Sequence, residues 1–148
     1  MTAKQTTTIV PHTAHEMFDL VADVEKYPEF IPWCVALRII KSNVVQGQGT
    51  LSADMIVAYK VFREKFRSKV SLDRKNGAID VEYQDGPFRS LQNKWRFIDH
   101  PEGGSVIDFH IDFEFRNFLL QATAHAVFDK AFARMSEAFV KRADVVYG

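Results

Sequence analysis

Apolar and polar residues alternate with a period of two through most of this chain, and the pattern turns helical only near its two ends. Thr6 to Val10 is β-branched and predicts a first strand, which Pro11 closes. Thr13, with Glu16 three residues on, forms a capping box that opens a helix of about ten residues. Met17, Val21 and Val24 share one stripe of it, flanked by Phe18 and Leu20. Six more strands follow: Val35 to Ser42, Thr50 to Tyr59, Val61 to Asp73, Ala78 to Tyr83, Phe88 to Ile98 and Ser105 to Phe115. The last is the clearest, because Ile107, Phe109, Ile111, Phe113 and Phe115 alternate with Val106, Asp108, His110, Asp112 and Glu114. Such alternation gives a strand one buried and one wet face. Asn117 to about Arg142 then reads as a long helix. Leu120, Ala124, Val127, Phe128, Ala131, Phe132, Met135, Ala138 and Phe139 fall in one arc of it, and Asp129, Lys130, Arg134, Glu137 and Lys141 lie opposite.

The span from Asp23 to Cys34 fits neither period. It holds Tyr27, Phe30 and Trp33 between Pro28 and Pro32, with Phe18 just upstream. The prolines fix their own φ and push Tyr27 and Ile31 toward extended geometry, which rules out one long helix. The segment reads as a stiff aromatic edge. It either plugs one end of the core or gates a cavity.

Seven strands joined by short turns predict an antiparallel sheet, and one long amphipathic helix must cover its apolar face. A sheet of that size curls. The fold class is therefore α+β, with a curved seven-stranded sheet wrapped around a long C-terminal helix and short helices after the first strand. This order is similar to the helix-grip arrangement of START-like domains. At 148 residues the chain reads as one domain.

Composition adds a greasy interior. Hydrophobic residues make up 47% and thirteen are Phe, which buries much area without asking for hydrogen bonds. Nineteen basic and nineteen acidic residues cancel, which argues against a dedicated DNA or RNA binder. Cys34 stands alone, so no internal disulfide or cysteine zinc site is expected, and a buried inert thiol is the expected state. His12, His15, His100, His110 and His125 lack metal-ligand spacing. There is no glycine-rich phosphate loop, nucleophile elbow or Ser/His/Asp set. The first residues show no signal or transit peptide, and no run is long and apolar enough to span a membrane.

Two stretches carry a more specific likeness. Phe18, Val21, Asp23-Val-Glu-Lys-Tyr27-Pro28, Phe30 and Pro32-Trp33-Cys34 resemble the signature of the coenzyme Q-binding START-like family, within the polyketide cyclase/dehydrase superfamily. Gly86-Pro87-Phe88, Leu91, Asn93, Trp95 and Phe97 resemble its second signature. That family includes mitochondrial ubiquinone-binding proteins and bacterial relatives described as ribosome-association toxins. The resemblance implies a non-enzymatic protein that holds ubiquinone, or a similar isoprenoid or acyl lipid, between sheet and helix and supports quinone function in respiration. Ubiquinone is then a bound ligand, with no other cofactor. The alternatives are a factor binding the large ribosomal subunit and, third, a polyketide cyclase or aromatase. The lack of a transit peptide suggests a bacterial, cytoplasmic version with peripheral contact at the inner membrane.

The candidate ligand-binding residues follow. Tyr27, Phe30 and Trp33 stand at the mouth. Phe66, Leu91, Trp95, Phe109 and Phe113 face inward with Ile111, opposite Phe128, Phe132 and Met135; together they form either a dry core or the wall of a lipid tunnel. Glu64 shares a face with Phe62 and Phe66. Either a bulge or a wet strand end relieves its burial, or Glu64 and Asn93 hydrogen-bond a polar head. Outside, Arg63, Lys65, Arg67 and Lys69 form a basic stripe that could meet phosphate. Asp80 and Glu82 on the next strand are the expected partners of that stripe. Asp108, Asp112 and Glu114 are expected against Lys94 and Arg96.

Overall fold

The computed structural model describes the backbone of residues 2–59 and 62–148, and their side chains apart from Thr2, Tyr59, Phe62, Leu120 and residues 123–129. The expected strand start at Val61 lies outside the described residues. So do the inward placements of Tyr59 and Phe62 and the side chains of Leu120, Ala124, His125, Val127, Phe128 and Asp129.

Strand β1 spans Thr2–Val10 and helix α1 spans Ala14–Ala22. The capping box at the start of α1 forms in both directions: Thr13 Oγ1 accepts from Glu16 N at 3.2 Å, and Thr13 N donates to Glu16 Oε1 at 2.9 Å. A 3₁₀ turn over Val24–Lys26 leads into a one-turn helix α2, Tyr27–Phe30. Here the sequence expectation is corrected. Tyr27 is helical, with φ −52° and ψ −42°, because Pro28 falls in the first turn of α2, where a missing N–H costs nothing. Ile31 is extended as expected, with φ −94° and ψ 112°.

Six strands then run as a meander: β2 (Cys34–Ser42), β3 (Gln48–Tyr59), β4 (Phe62–Asp73), β5 (Ala78–Asp85), β6 (Phe88–Asp99) and β7 (Ser105–Phe115). The sheet is antiparallel throughout, in the order β1-β7-β6-β5-β4-β3-β2, so β1 closes against the last strand instead of its sequence neighbour. The sheet curves around helix α3, Phe118–Tyr147, which runs five residues beyond the expected Arg142.

The C-terminal half of α3 is tied down. His12 Nε2 meets Asp144 Oδ1 at 2.8 Å, Tyr147 Oη donates to Glu16 O at 2.8 Å, and Arg142 meets Glu29 at 3.1 Å. The inner faces of α1, α3 and the sheet share one apolar core that includes Phe18, Ile79, Phe97 and Phe139. A second cluster, Phe88, Leu91, Phe113 and Phe115, occupies the end of the sheet where β6 begins and β7 ends. Gly86 makes that end possible. Its φ is +143°, and a Cβ there would lie 2.7 Å from Phe66 Cβ, so only glycine lets the β5–β6 turn close over Phe66.

Candidate ligand cavity

Sheet and helix leave space between them. A cavity of about 270 Å³ lies under α3, partly open to solvent. Met55 and Val57 of β3, Phe66 of β4, Val81 of β5, and Ala131 and Met135 of α3 are among its walls. Aromatic rings fix its shape. Trp95 sits 4.2 Å from Phe109, which stacks on Phe132 at 5.5 Å; Phe139 meets Trp95 edge-on at 5.3 Å. At the other end Phe88 meets Phe66 at 5.5 Å, Phe113 at 6.2 Å and Phe115 at 4.5 Å. Offset and edge contacts of this kind hold rings in defined places.

The structure brings most of the sequence candidates together. Tyr27, Trp33, Glu64, Phe66, Leu91, Asn93, Trp95, Phe109, Phe113, Phe132 and Met135 line this cavity, as does Ile111. The side chain of Phe128 lies outside the described residues. Phe30 is not on the cavity wall. It sits behind Tyr27, at 6.0 Å from that ring and 5.3 Å from Phe139, with the Arg142 guanidinium 5.3 Å from its centroid. It therefore borders an outer groove with Pro32 and Lys141.

Tyr27 has a structural duty as well. Its hydroxyl donates to Val21 O, a carbonyl left over at the end of α1. Burial, followed by the nearby Cys34 and Asp23, pushes its pKa up. Burial also pushes the Cys34 thiol up to about 11. Both groups are neutral at pH 7.

Glu64 is half-buried on the cavity wall. The β3–β4 pairing runs without a register shift from Gln48↔Asp73 to Tyr59↔Phe62, so no bulge turns Glu64 outward. The sequence reading missed Ser68, which lines the cavity from the middle of β4. Its signal was a polar residue on the inward side of a strand between Phe66 and Val70.

Outside the sheet, the charge pairing differs from expectation. Arg67 makes a two-point contact with Asp54 of β3, at 2.7 and 3.1 Å, and Lys65 reaches the same carboxylate at 3.8 Å. The hydrogen bond from Arg67 and the surrounding cations hold the Asp54 pKa below the usual value. Asp80 takes Arg96 at 2.9 Å, Asp108 accepts from Thr7 of β1 at 2.8 Å, and Asp112 meets His110 of its own strand at 2.8 Å. Among the described residues no group of three His, Cys, Asp or Glu side chains is placed to hold a metal, and no helix is long and apolar enough to cross a membrane.

Known proteins share this architecture. Residues 10–140 match the family model described as polyketide cyclase / dehydrase and lipid transport. The ribosome association toxin RatA of Escherichia coli (strain K12) is 37% identical over 141 residues, which is 95% of this chain and 86% of RatA. The mitochondrial coenzyme Q-binding protein COQ10 homolog B of Xenopus laevis is 28% identical over 143 residues, 95% of this chain and 57% of that protein. Among solved structures, an 18 kDa protein from Caulobacter crescentus superposes with a TM-score of 0.83 at 34% identity, covering 100% of this chain and 99% of that one. A START superfamily protein from Mycobacterium smegmatis, at 15% identity, shares the fold alone, with a TM-score of 0.82 over 97% of this chain and 98% of that one. By the span of the family match and by these relatives, the chain belongs to the polyketide cyclase / dehydrase and lipid transport family, of START-like helix-grip fold.

Proposed function

We propose that this protein is a non-enzymatic carrier of an amphiphilic lipid, with a ring-bearing isoprenoid such as ubiquinone as the best-fitting class. The observation that carries this reading is the cavity: about 270 Å³ of space walled by apolar and aromatic side chains, with Glu64, Ser68 and Asn93 as isolated polar groups. That chemistry suits a molecule with a large apolar part and a small polar head. The volume falls just below the roughly 300–1,000 Å³ of sites that enclose drug-sized ligands. A substituted ring and the start of a tail fit inside; a long polyprenyl chain must leave through the opening. The coenzyme Q-binding relative supports the same class of ligand. Binding is favoured over catalysis because, beside the lone Glu64 carboxylate, the titratable groups Tyr27 and Cys34 on the cavity wall are held neutral by burial. Organic extraction of the purified protein followed by mass spectrometry tests the reading. A stoichiometric prenylated or acyl lipid is expected, and a protein that repeatedly extracts clean would refute it.

A second reading has its own support. Relatives at 36% and 37% identity carry the name ribosome association toxin. Arg63 and Lys69 on the outer face of β4 form no ion pair within 4 Å among the described residues, although Lys69 stands opposite Glu82 of β5, whereas Arg67 is committed to Asp54. Under this reading the protein cosediments with the large ribosomal subunit. The double substitution Arg63→Glu and Lys69→Glu then weakens the association, and that weakening diminishes at high salt. Absence of cosedimentation at low salt would remove this reading.

A further inference from the structure

Phe118 and Leu119 open α3 and stand in water, 83% and 73% exposed. At 100° per residue both fall outside the arc of α3 that faces the sheet. Exposed apolar side chains scattered singly are ordinary on a protein surface, but two of this size side by side form a patch. Val145 and Val146 are also adjacent and exposed, but they are smaller and lie at the other end of α3.

The corner that carries the pair is firmly built. Arg116 N donates to Pro87 O and Arg116 Nε to Phe88 O, each at 3.0 Å, which ties the β7–α3 connection to the β5–β6 turn. Asn117 Oδ1 caps α3 by accepting from Leu119 N at 2.8 Å, and Gln121 Oε1 accepts from Phe115 N at 2.8 Å. These bonds fix the backbone on both sides of Phe118 and Leu119, so the pair projects from a set position. Arg116 precedes it by two residues, and Arg89 follows Phe88 across the tie; both arginines are exposed. Of the acids at this end, Asp85 stands opposite Arg67 in the β4–β5 register, and Glu114 is half-buried. The cavity reaches the same end of the sheet, where Phe88 and Phe115 are part of its wall.

A projecting apolar pair backed by cations matches the surface of a bilayer that carries anionic headgroups. Its interface accepts aromatic and aliphatic side chains, and its phosphates attract arginine. A protein partner fits less well, because two side chains cover far less than the roughly 800 Å² per partner of a standard interface. We propose that this corner docks the protein on an anionic bilayer, with Phe118 and Leu119 in the interfacial layer and Arg89 and Arg116 at the phosphates. Docking in this way brings the Phe88–Phe115 end of the cavity against the lipid. The surface rests on its own observations and not on the carrier reading.

Vesicle cosedimentation of the full chain, with no ligand added, tests the surface. Phosphatidylcholine vesicles form one arm, and an equal mixture of phosphatidylcholine and phosphatidylglycerol forms the other. The wild type should bind the mixed vesicles about fivefold more tightly or better. Phe118→Ser combined with Leu119→Ser should lower affinity for the mixed vesicles by about tenfold or more, at an unchanged Tm. Arg89→Gln should lose about fivefold on the mixed vesicles and nothing on phosphatidylcholine. Failure of the wild type to bind or to prefer the mixed vesicles overturns the docking surface, and so does undiminished binding by the double variant. A wild type that ignores vesicles yet sediments as a dimer, and as a monomer once both residues are changed, would assign the pair to a second copy of the chain instead. Because the assay contains no cavity ligand, each of these results leaves the carrier reading to its own test.

Discussion

Replacing Phe139 by alanine should loosen the aromatic segment from the sheet, because this ring joins them. Phe139 is 4% exposed. Its ring meets Tyr27 at 5.4 Å, Phe30 at 5.3 Å and Trp95 at 5.3 Å, all edge-on. Two of these partners belong to α2 and one to β6, so a single α3 side chain holds the stiff segment against the curved sheet. Truncating a buried Phe to Ala costs about 3–5 kcal/mol. Edge-on pairs contribute about 0.5–1.5 kcal/mol each beyond area burial, which lifts this site above the bottom of that range, to about 4 kcal/mol. In a chain of this length 1 kcal/mol moves Tm by roughly 2–4 °C, so a fall of about 8–16 °C is expected in a calorimetric melt. Hydrogen exchange supplies a local readout. The Ile31 N–H, which donates to Tyr27 O at 2.9 Å, should exchange faster relative to the α1 amides. Phe139→Leu should recover part of the loss by restoring volume without the ring edges. A Tm fall under about 3 °C with unchanged exchange at Ile31 would show that the segment is held by something else.

Other consequences can be measured directly. Ser68→Ala should leave the ligand-free protein as stable or raise its stability by about 1 kcal/mol, since it removes an unpartnered buried hydroxyl; a loss above about 1 kcal/mol in chemical denaturation would mean that Ser68 has a partner in the folded state. Asp54 has a depressed folded pKa, so the stability it adds is present above its ordinary value near 3.8 and is lost as pH falls through the folded value. Asp54→Asn should therefore be less stable than wild type at pH 7, by up to about 1 kcal/mol for a pair at the sheet surface whose arginine is exposed, and the gap should close in acid; a gap that persists in strong acid contradicts the assignment. Cys34 has the opposite sign. With its folded pKa raised to about 11, its contribution is complete below the unfolded value near 9 and is lost as pH rises toward 11. In the folded protein the thiol should resist alkylation at pH 8, whereas rapid alkylation there would contradict its burial.

Much of the fold was legible because it rests on local chemistry. The capping box at Thr13 and Glu16 fixed the start of α1. Strict alternation from Ser105 to Phe115 gave β7 its exact bounds, since a one-residue slip would turn five large side chains into water. What escaped depends on register or on a neighbour distant in sequence. Arg67 pairs with Asp54 because β3 and β4 place those two residues opposite each other, and no pattern within β4 reveals that. Pro28 read as a breaker, yet it initiates the turn that contains Tyr27, since proline suits the first helical turn as well as it ends a helix. Ser68 looked like an interruption in an apolar face. Only the curvature of the sheet, which keeps α3 from filling the space beneath it, shows that Ser68 lines a cavity.

Intrinsic fluorescence tests the cavity most directly, because both tryptophans of the chain, Trp33 and Trp95, line it. Titration with decylubiquinone should quench their emission saturably, with an endpoint at one molecule per chain. The same titration of Ala131→Phe should show only weak, unsaturable quenching. The added ring takes roughly the space of three waters, about 90 Å³, or a third of the 270 Å³ available. Its Tm should match or exceed that of the wild type. Saturable quenching of equal strength in a folded Ala131→Phe protein would contradict occupation of this cavity.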